Sequence, residues 1–149
     1  MPVDIVRRYA GKGVSSRKLK KVALKILAMV KQEQAELSVA LIANAEIQQL
    51  NATYRHKDYA TDVLSFPAGD GLPGEVRILG DVIISVDKAK EQAEERGRSL
   101  DEEMATLLIH GIVHLLGYDH ERSTEDARIM GRLEKKIQRA LCEQGLLKV

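Results

Sequence analysis

Aromatic side chains make up only 3% of this 149-residue chain, with one Phe and no Trp. The core must therefore be built from Leu, Ile, Val and Ala, and nucleic-acid binding that relies mainly on stacking bases against rings is disfavoured. Cys142 is the single cysteine. An internal disulfide is excluded, which suits a reducing compartment. Long apolar runs are also missing. The longest, Ala105 to Leu116, is interrupted by His110 and His114 and falls short of the roughly 20 residues of a membrane helix. The opening residues, Met1-Pro2-Val3-Asp4-Ile5-Val6-Arg7-Arg8, have no run of signal-peptide type. The expectation is a cytoplasmic protein with no membrane partner. Hydrophobic residues at 44% and charged residues at 30% exclude a disordered polymer. With no repeat and no linker, residues 1–149 are expected to form one domain.

The net charge of +1 hides an asymmetry. Residues 1–31 carry +8 and the remaining 118 carry −7. A basic segment on a near-neutral chain is an electrostatic footprint for a polyanion. Taken alone, it reads better as the solvated face of an amphipathic helix from Arg17 to Lys31, whose apolar side holds Val22, Ile26 and Met29.

Patterning gives the other elements. Strands are expected at Val3 to Val6, Glu36 to Ala43, Thr61 to Phe66 and Val76 to Val86. Asn44 is expected to cap a helix that buries Ile47, Leu50 and Tyr54, and Asp87 to cap one that Gly97 closes. Ser99-Leu100-Asp101-Glu102 reads as a capping box opening a helix to about Leu116. A last helix follows Ser123, with Met130, Leu133, Ile137 and Leu141 as its stripe and Cys142 a small core residue beside it. The order fits an α+β class: a small mixed sheet of about four strands covered by helices.

The chemistry concentrates in His110-Gly111-Ile112-Val113-His114-Leu115-Leu116-Gly117-Tyr118-Asp119-His120. His110 and His114 share one face of a helix and can bind one metal ion without bending it. Gly117 accepts the left-handed backbone of a helix stop, which allows the chain to reverse and return His120 to the same ion. Three protein ligands leave a tetrahedral zinc site with one open position, the catalytic pattern. The alternative is three unrelated histidines on a buried helix, which the spacing makes hard to sustain. The ligand frame is that of the metzincin proteases, in which Glu follows the first His as general base. Here that position is Gly111, which cannot take a proton.

This segment strongly resembles the YbeY family, whose hallmark is His-Gly-x-x-His-Leu-x-Gly-Tyr-Asp-His. Two further stretches match it: Tyr54-Arg55 with Asp58 and Thr61-Asp62-Val63-Leu64-Ser65-Phe66-Pro67, and Gly80-Asp81-Val82-Ile83-Ile84-Ser85. The resemblance implies a single-strand-specific, metal-dependent endoribonuclease acting in 16S rRNA 3′-end maturation and ribosome quality control. It implies one zinc ion on His110, His114 and His120, with nickel or another imidazole-binding ion as an alternative. It implies single-stranded rRNA and the small ribosomal subunit as partners, without DNA, and a functional role for Arg55. A guanidinium there suits a bidentate clamp on phosphate, where the residue alone would read as a contact to a helix C-terminus.

Asp62 and Asp81 are either orienters of a ligand imidazole or, preferably, loop-holding residues. Asp119 is expected to fix its turn and His56 to be an exposed loop residue. Two other functions fit less well: a metallopeptidase-like hydrolase, which lacks its Glu, and a ribosome-assembly protein with a structural zinc site, which lacks a fourth Cys or His.

Overall fold

The structure is a computed structural model and describes residues 3–9, 13–57, 61–68, 78–117 and 123–146. The elements are β1 (Val3–Arg7), α1 (Ser16–Met29), β2 (Glu36–Ile42), α2 (Asn44–Arg55), β3 (Val63–Pro67), β4 (Ile78–Ser85), α3 (Val86–Arg96), α4 (Leu100–Leu115) and α5 (Thr124–Glu143). The strands form one mixed sheet in the order β1-β2-β4-β3. β1, β2 and β4 are parallel, and β3 runs antiparallel to β4 at the edge. The α+β expectation and the element order are both borne out. None of the described helices is long and apolar enough to cross a membrane.

Alternation along the strands divides the sheet into two faces. Leu37, Val39 and Leu41 of β2 and Val82 and Ile84 of β4 enter the large core with α1, α4 and α5. Ala40, Ile83, Leu64 and Phe66 point the other way and meet Ile47 and Leu50 of α2. α1 buries Leu19, Val22, Ala23, Ile26 and Leu27 and leaves Arg17, Lys18 and Lys21 exposed, the amphipathic helix its spacing demands.

Two expected caps change places. Ala43, not Asn44, is the N-cap of α2, and it makes no side-chain cap bond. Ser85, not Asp87, caps α3 by accepting from the Lys88 N–H. Asp87 sits in the first turn of α3, and its carboxylate accepts the Asn44 N–H at 2.9 Å. Ser85 also donates to Asn44 Oδ1 at 2.7 Å. The start of α3 thus caps the start of α2, a pairing of residues far apart in the chain that local spacing does not reveal. Asp87→Ala is expected to cost about 1 kcal/mol, the usual worth of an N-cap, and to lower Tm by about 2–4 °C in a chain of this size. Asp87→Asn, which keeps an acceptor, should lose less. Thermal unfolding of the two variants checks this.

Strand β4 is shorter than the sequence implied: Val86 begins α3, and residues 76 and 77 lie outside the described set. Tyr54, expected in the α2 stripe, is 64% exposed and contacts Phe66 edge to face at 5.5 Å between ring centroids. The position facing inward one turn from Ile47 is taken by buried Asn51. Cys142 packs partly buried against the large core, as expected.

The path into α4 is fixed by charge. Glu103 is fully buried in its first turn. Its Oε1 accepts from Arg96 at 2.7 Å and its Oε2 lies 3.6 Å from Arg98 Nε. Paired in this way, a buried carboxylate holds the α3–α4 turn in one geometry; unpaired, it would be strongly destabilising. The Ser99 hydroxyl accepts the Glu102 N–H at 3.1 Å, as expected of the helix start.

Candidate metal and active site

α4 is apolar on nearly every side because it lies between the sheet, α1, α3 and α5. Its buried residues run from Glu103 to Leu115. His110 and His114 are half-buried and one helical turn apart, so their imidazoles share a face. α4 ends at Leu115, and Gly117 follows with φ 102°, the left-handed region that disfavours a side chain. Its N–H bonds the His114 carbonyl at 3.0 Å. Apart from its chain neighbours, no described residue comes within 4 Å of the position where a Cβ would sit, so backbone geometry calls for glycine there.

Gly111 is required for the opposite reason. A Cβ at this position would lie 2.6 Å from Val82 Cγ1 and 3.3 Å from Ser65 Oγ. The Ser65 hydroxyl also donates to the Gly111 carbonyl at 3.1 Å. The helix thus rides directly on β3 and β4. The residue after the first histidine faces the sheet, so a carboxylate there would enter the core instead of the site. The missing protease base therefore has a packing cause.

His110 Nδ1 lies 3.2 Å from Glu134 Oε2 of α5. The hydrogen bond to Glu134 pushes the pKa of His110 above the usual imidazole value, with the charges of Glu134 and Asp62 adding to it and burial opposing it. Asp62 immediately precedes β3. Its carboxylate is already engaged: Oδ1 accepts the Val63 N–H at 2.8 Å and Oδ2 accepts from Gln92 at 3.2 Å. The preferred role of Asp62, holding the approach to β3, agrees with these bonds. Asp81 is exposed on β4. Its neighbour Val82 faces Gly111, so alternation turns Asp81 to the opposite face of the sheet, away from His110.

Arg55 is the last residue of α2, exposed, and forms no ion pair among the described residues. His56 follows as an exposed left-handed C-cap. The third expected ligand, His120, lies outside the described residues, as do Asp58, Tyr118 and Asp119. Among the described residues no three His, Cys, Asp or Glu side chains are grouped to hold a metal.

Sequence reasoning missed Glu134. Its signal was weak: Leu133 keeps the stripe of Met130, Leu133, Ile137 and Leu141 unbroken, and Glu134 stands beside it, four residues after Met130 and three before Ile137. Met130, Ile137 and Leu141 are buried. The start of α1 lies toward the other end of α4. Lys18 meets Asp101 at 3.7 Å, and His110 is nine residues further along, about 13 Å at 1.5 Å per residue.

These features define an α+β protein that presents two imidazoles at the C-terminal end of a sheet-packed helix. The sequence profile described as endoribonuclease YbeY matches residues 6–142. The chain belongs to the endoribonuclease YbeY family. A relative of that name from Sulfurihydrogenibium is 47% identical over 133 residues, covering 89% of this chain and 88% of its own. Another from Aquifex aeolicus is 48% identical over 124 residues, covering 83% and 82%. Among solved structures, the chain is similar to the solution structure of a protein from Thermotoga maritima. That match has a TM-score of 0.65 and 29% identity, and it covers 95% of this chain and 90% of the other. The resemblance drawn from the three motifs is thereby borne out.

Proposed function

We propose that this chain is a zinc-dependent endoribonuclease. Its substrate is single-stranded rRNA, cut in the cytoplasm during 16S 3′-end maturation and ribosome quality control, in association with the small ribosomal subunit. The family supports RNA cleavage, because its curated relatives are named endoribonucleases. The observation that carries the metal reading is the pair of half-buried imidazoles on one face of α4, with His110 bonded through Nδ1 to a carboxylate. A neutral ring that donates from Nδ1 offers its lone pair at Nε2, the donor chemistry a zinc ligand needs. His110, His114 and His120 would hold the ion. When bound, zinc supplies Lewis acidity toward a phosphoryl oxygen and lowers the pKa of water.

The protein's own groups do the rest. Arg55, exposed at the end of α2, can grip a phosphate through two parallel N–H donors and offset charge that develops on it. Gly111 takes no part in proton transfer. Its contact with Val82 also disfavours the peptidase alternative, since no acid fits where that chemistry would need one.

The test is metal removal. Protein stripped with a chelator should lose cleavage of a single-stranded rRNA fragment and regain it with zinc. Elemental analysis of protein purified without added metal decides between zinc and nickel. A substrate carrying one 2′-deoxy sugar at the cut site separates two routes. Lost cleavage, with a 2′,3′-cyclic phosphate from the normal substrate, assigns the attack to the 2′-hydroxyl; retained cleavage assigns it to water. Cleavage unaffected by stripping would refute the reading. Metal-dependent melting without any cleavage would favour the assembly protein with structural zinc.

A further inference from the structure

We infer that Glu134 is a positioning residue: its carboxylate accepts the Nδ1–H of His110 and so presents Nε2 of that ring to the metal. The inference deepens the zinc site proposed above and depends on it.

Three observations carry it. The first is geometric. Glu134 Oε2 stands 3.2 Å from His110 Nδ1, within reach of a hydrogen bond to a ring nitrogen. The two nitrogens of an imidazole point in different directions, so a partner on one fixes the tautomer and leaves the other to coordinate. The second concerns place. Glu134 follows Met130 by four residues and precedes Ile137 by three, at the edge of the stripe with which α5 packs into the core. Both neighbours are buried, and the Glu134 side chain is itself only 26% exposed. A carboxylate in such a slot gives up hydration and is retained at a cost unless it is paired. The third is that it pairs with a ring of the paired-histidine helix, reached across the α4–α5 contact.

The same geometry excludes another role. A carboxylate on Nδ1 lies on the far side of the ring from an ion held by Nε2, so Glu134 is too remote to serve as the missing base. It acts through His110.

The test compares zinc affinity, measured by competition with a chromophoric chelator, in the parent protein, Glu134→Ala and Glu134→Gln. Glu134→Ala should bind zinc about 10–100-fold more weakly, as for other orienting partners of metal-bound histidine. Glu134→Gln keeps an acceptor oxygen and should stay within a few-fold of the parent. Nitrogen-15 NMR of the zinc-loaded parent should show His110 protonated at Nδ1 and coordinated through Nε2, a readout that requires no variant to fold. Coordination through Nδ1 would overturn the inference, as would parental affinity in Glu134→Ala or an equal loss in Glu134→Gln. If instead the parent binds no zinc, the site reading fails first and takes this inference with it. Zinc bound by the parent and lost in His114→Ala, with Glu134→Ala unchanged, would sink the inference alone.

Discussion

Glu at position 111, which would complete the His-Glu-x-x-His frame of a zinc peptidase, is expected to unfold the protein and yield no peptidase. The Cβ alone would stand 3.1 Å from Val82 Cγ2, a tight contact, and 2.6 Å from Val82 Cγ1, closer than a Cβ can approach without something shifting. Val82 has little freedom to give way. It is fully buried, stiff at χ1 as a β-branched residue, and held on β4 between β2 and β3. Gly111→Ala already overpacks this contact, at a cost of about 1–3 kcal/mol, against which helix propensity returns about 1 kcal/mol. A net loss is expected, read as a lower Tm. Gly111→Glu adds an unpaired carboxylate between helix and sheet, worth several kcal/mol more, against a total stability of about 5–15 kcal/mol. Insoluble protein, or a melt without a cooperative transition, is the expected outcome. Parental stability in Gly111→Glu would overturn the direct packing of α4 on Val82.

The contrast between this glycine and Gly117 shows what was legible in the sequence. The helix stop could be read, because glycine before a change of pattern announces a left-handed residue, and Gly117 has φ 102°. Gly111 announced only the absence of a base. The reason for that absence lies in β4, in a contact made across the α4–sheet packing. Caps divided in the same way. Ser15, Ser99 and Ser123 accept from N–H groups three residues ahead, and local spacing exposes such bonds. The Asp87–Asn44 bond spans two helices, and no local rule reaches it. Period alone places Tyr54 in the core, whereas the fold leaves its ring outward against Phe66. Glu134 stands beside an apolar stripe of α5 that Leu133 keeps unbroken, so the period carried little trace of its contact with His110. The paired histidines were legible because α4 is a regular helix with a fixed period. The partner that holds one of them was not, because it comes from another helix.

Removing one imidazole should separate the metal from the fold. His114→Ala is expected to lower cleavage of single-stranded RNA by about 10³-fold or more, since a catalytic ion supplies several kcal/mol of charge stabilisation and each 1.36 kcal/mol is tenfold in rate. Zinc content should fall with activity. The metal-free fold should survive, because His114 is half-buried near the end of α4 and Ala is the best helix former. Arg55→Ala should divide these effects differently. Zinc binding and Tm should stay at parental values, since Arg55 is exposed and forms no ion pair among the described residues. Its kcat/KM should fall by about 10²–10³-fold, the usual loss when one preorganised donor is removed. Arg55→Lys should recover only part of this, because an ammonium is a point charge and cannot make the two parallel bonds of a guanidinium. The double variant should be little worse than His114→Ala, since groups that act on one step are not additive. Single variants that cleave like the parent would assign the activity to a contaminant. A loss of zinc in Arg55→Ala would move that arginine from the substrate to the metal.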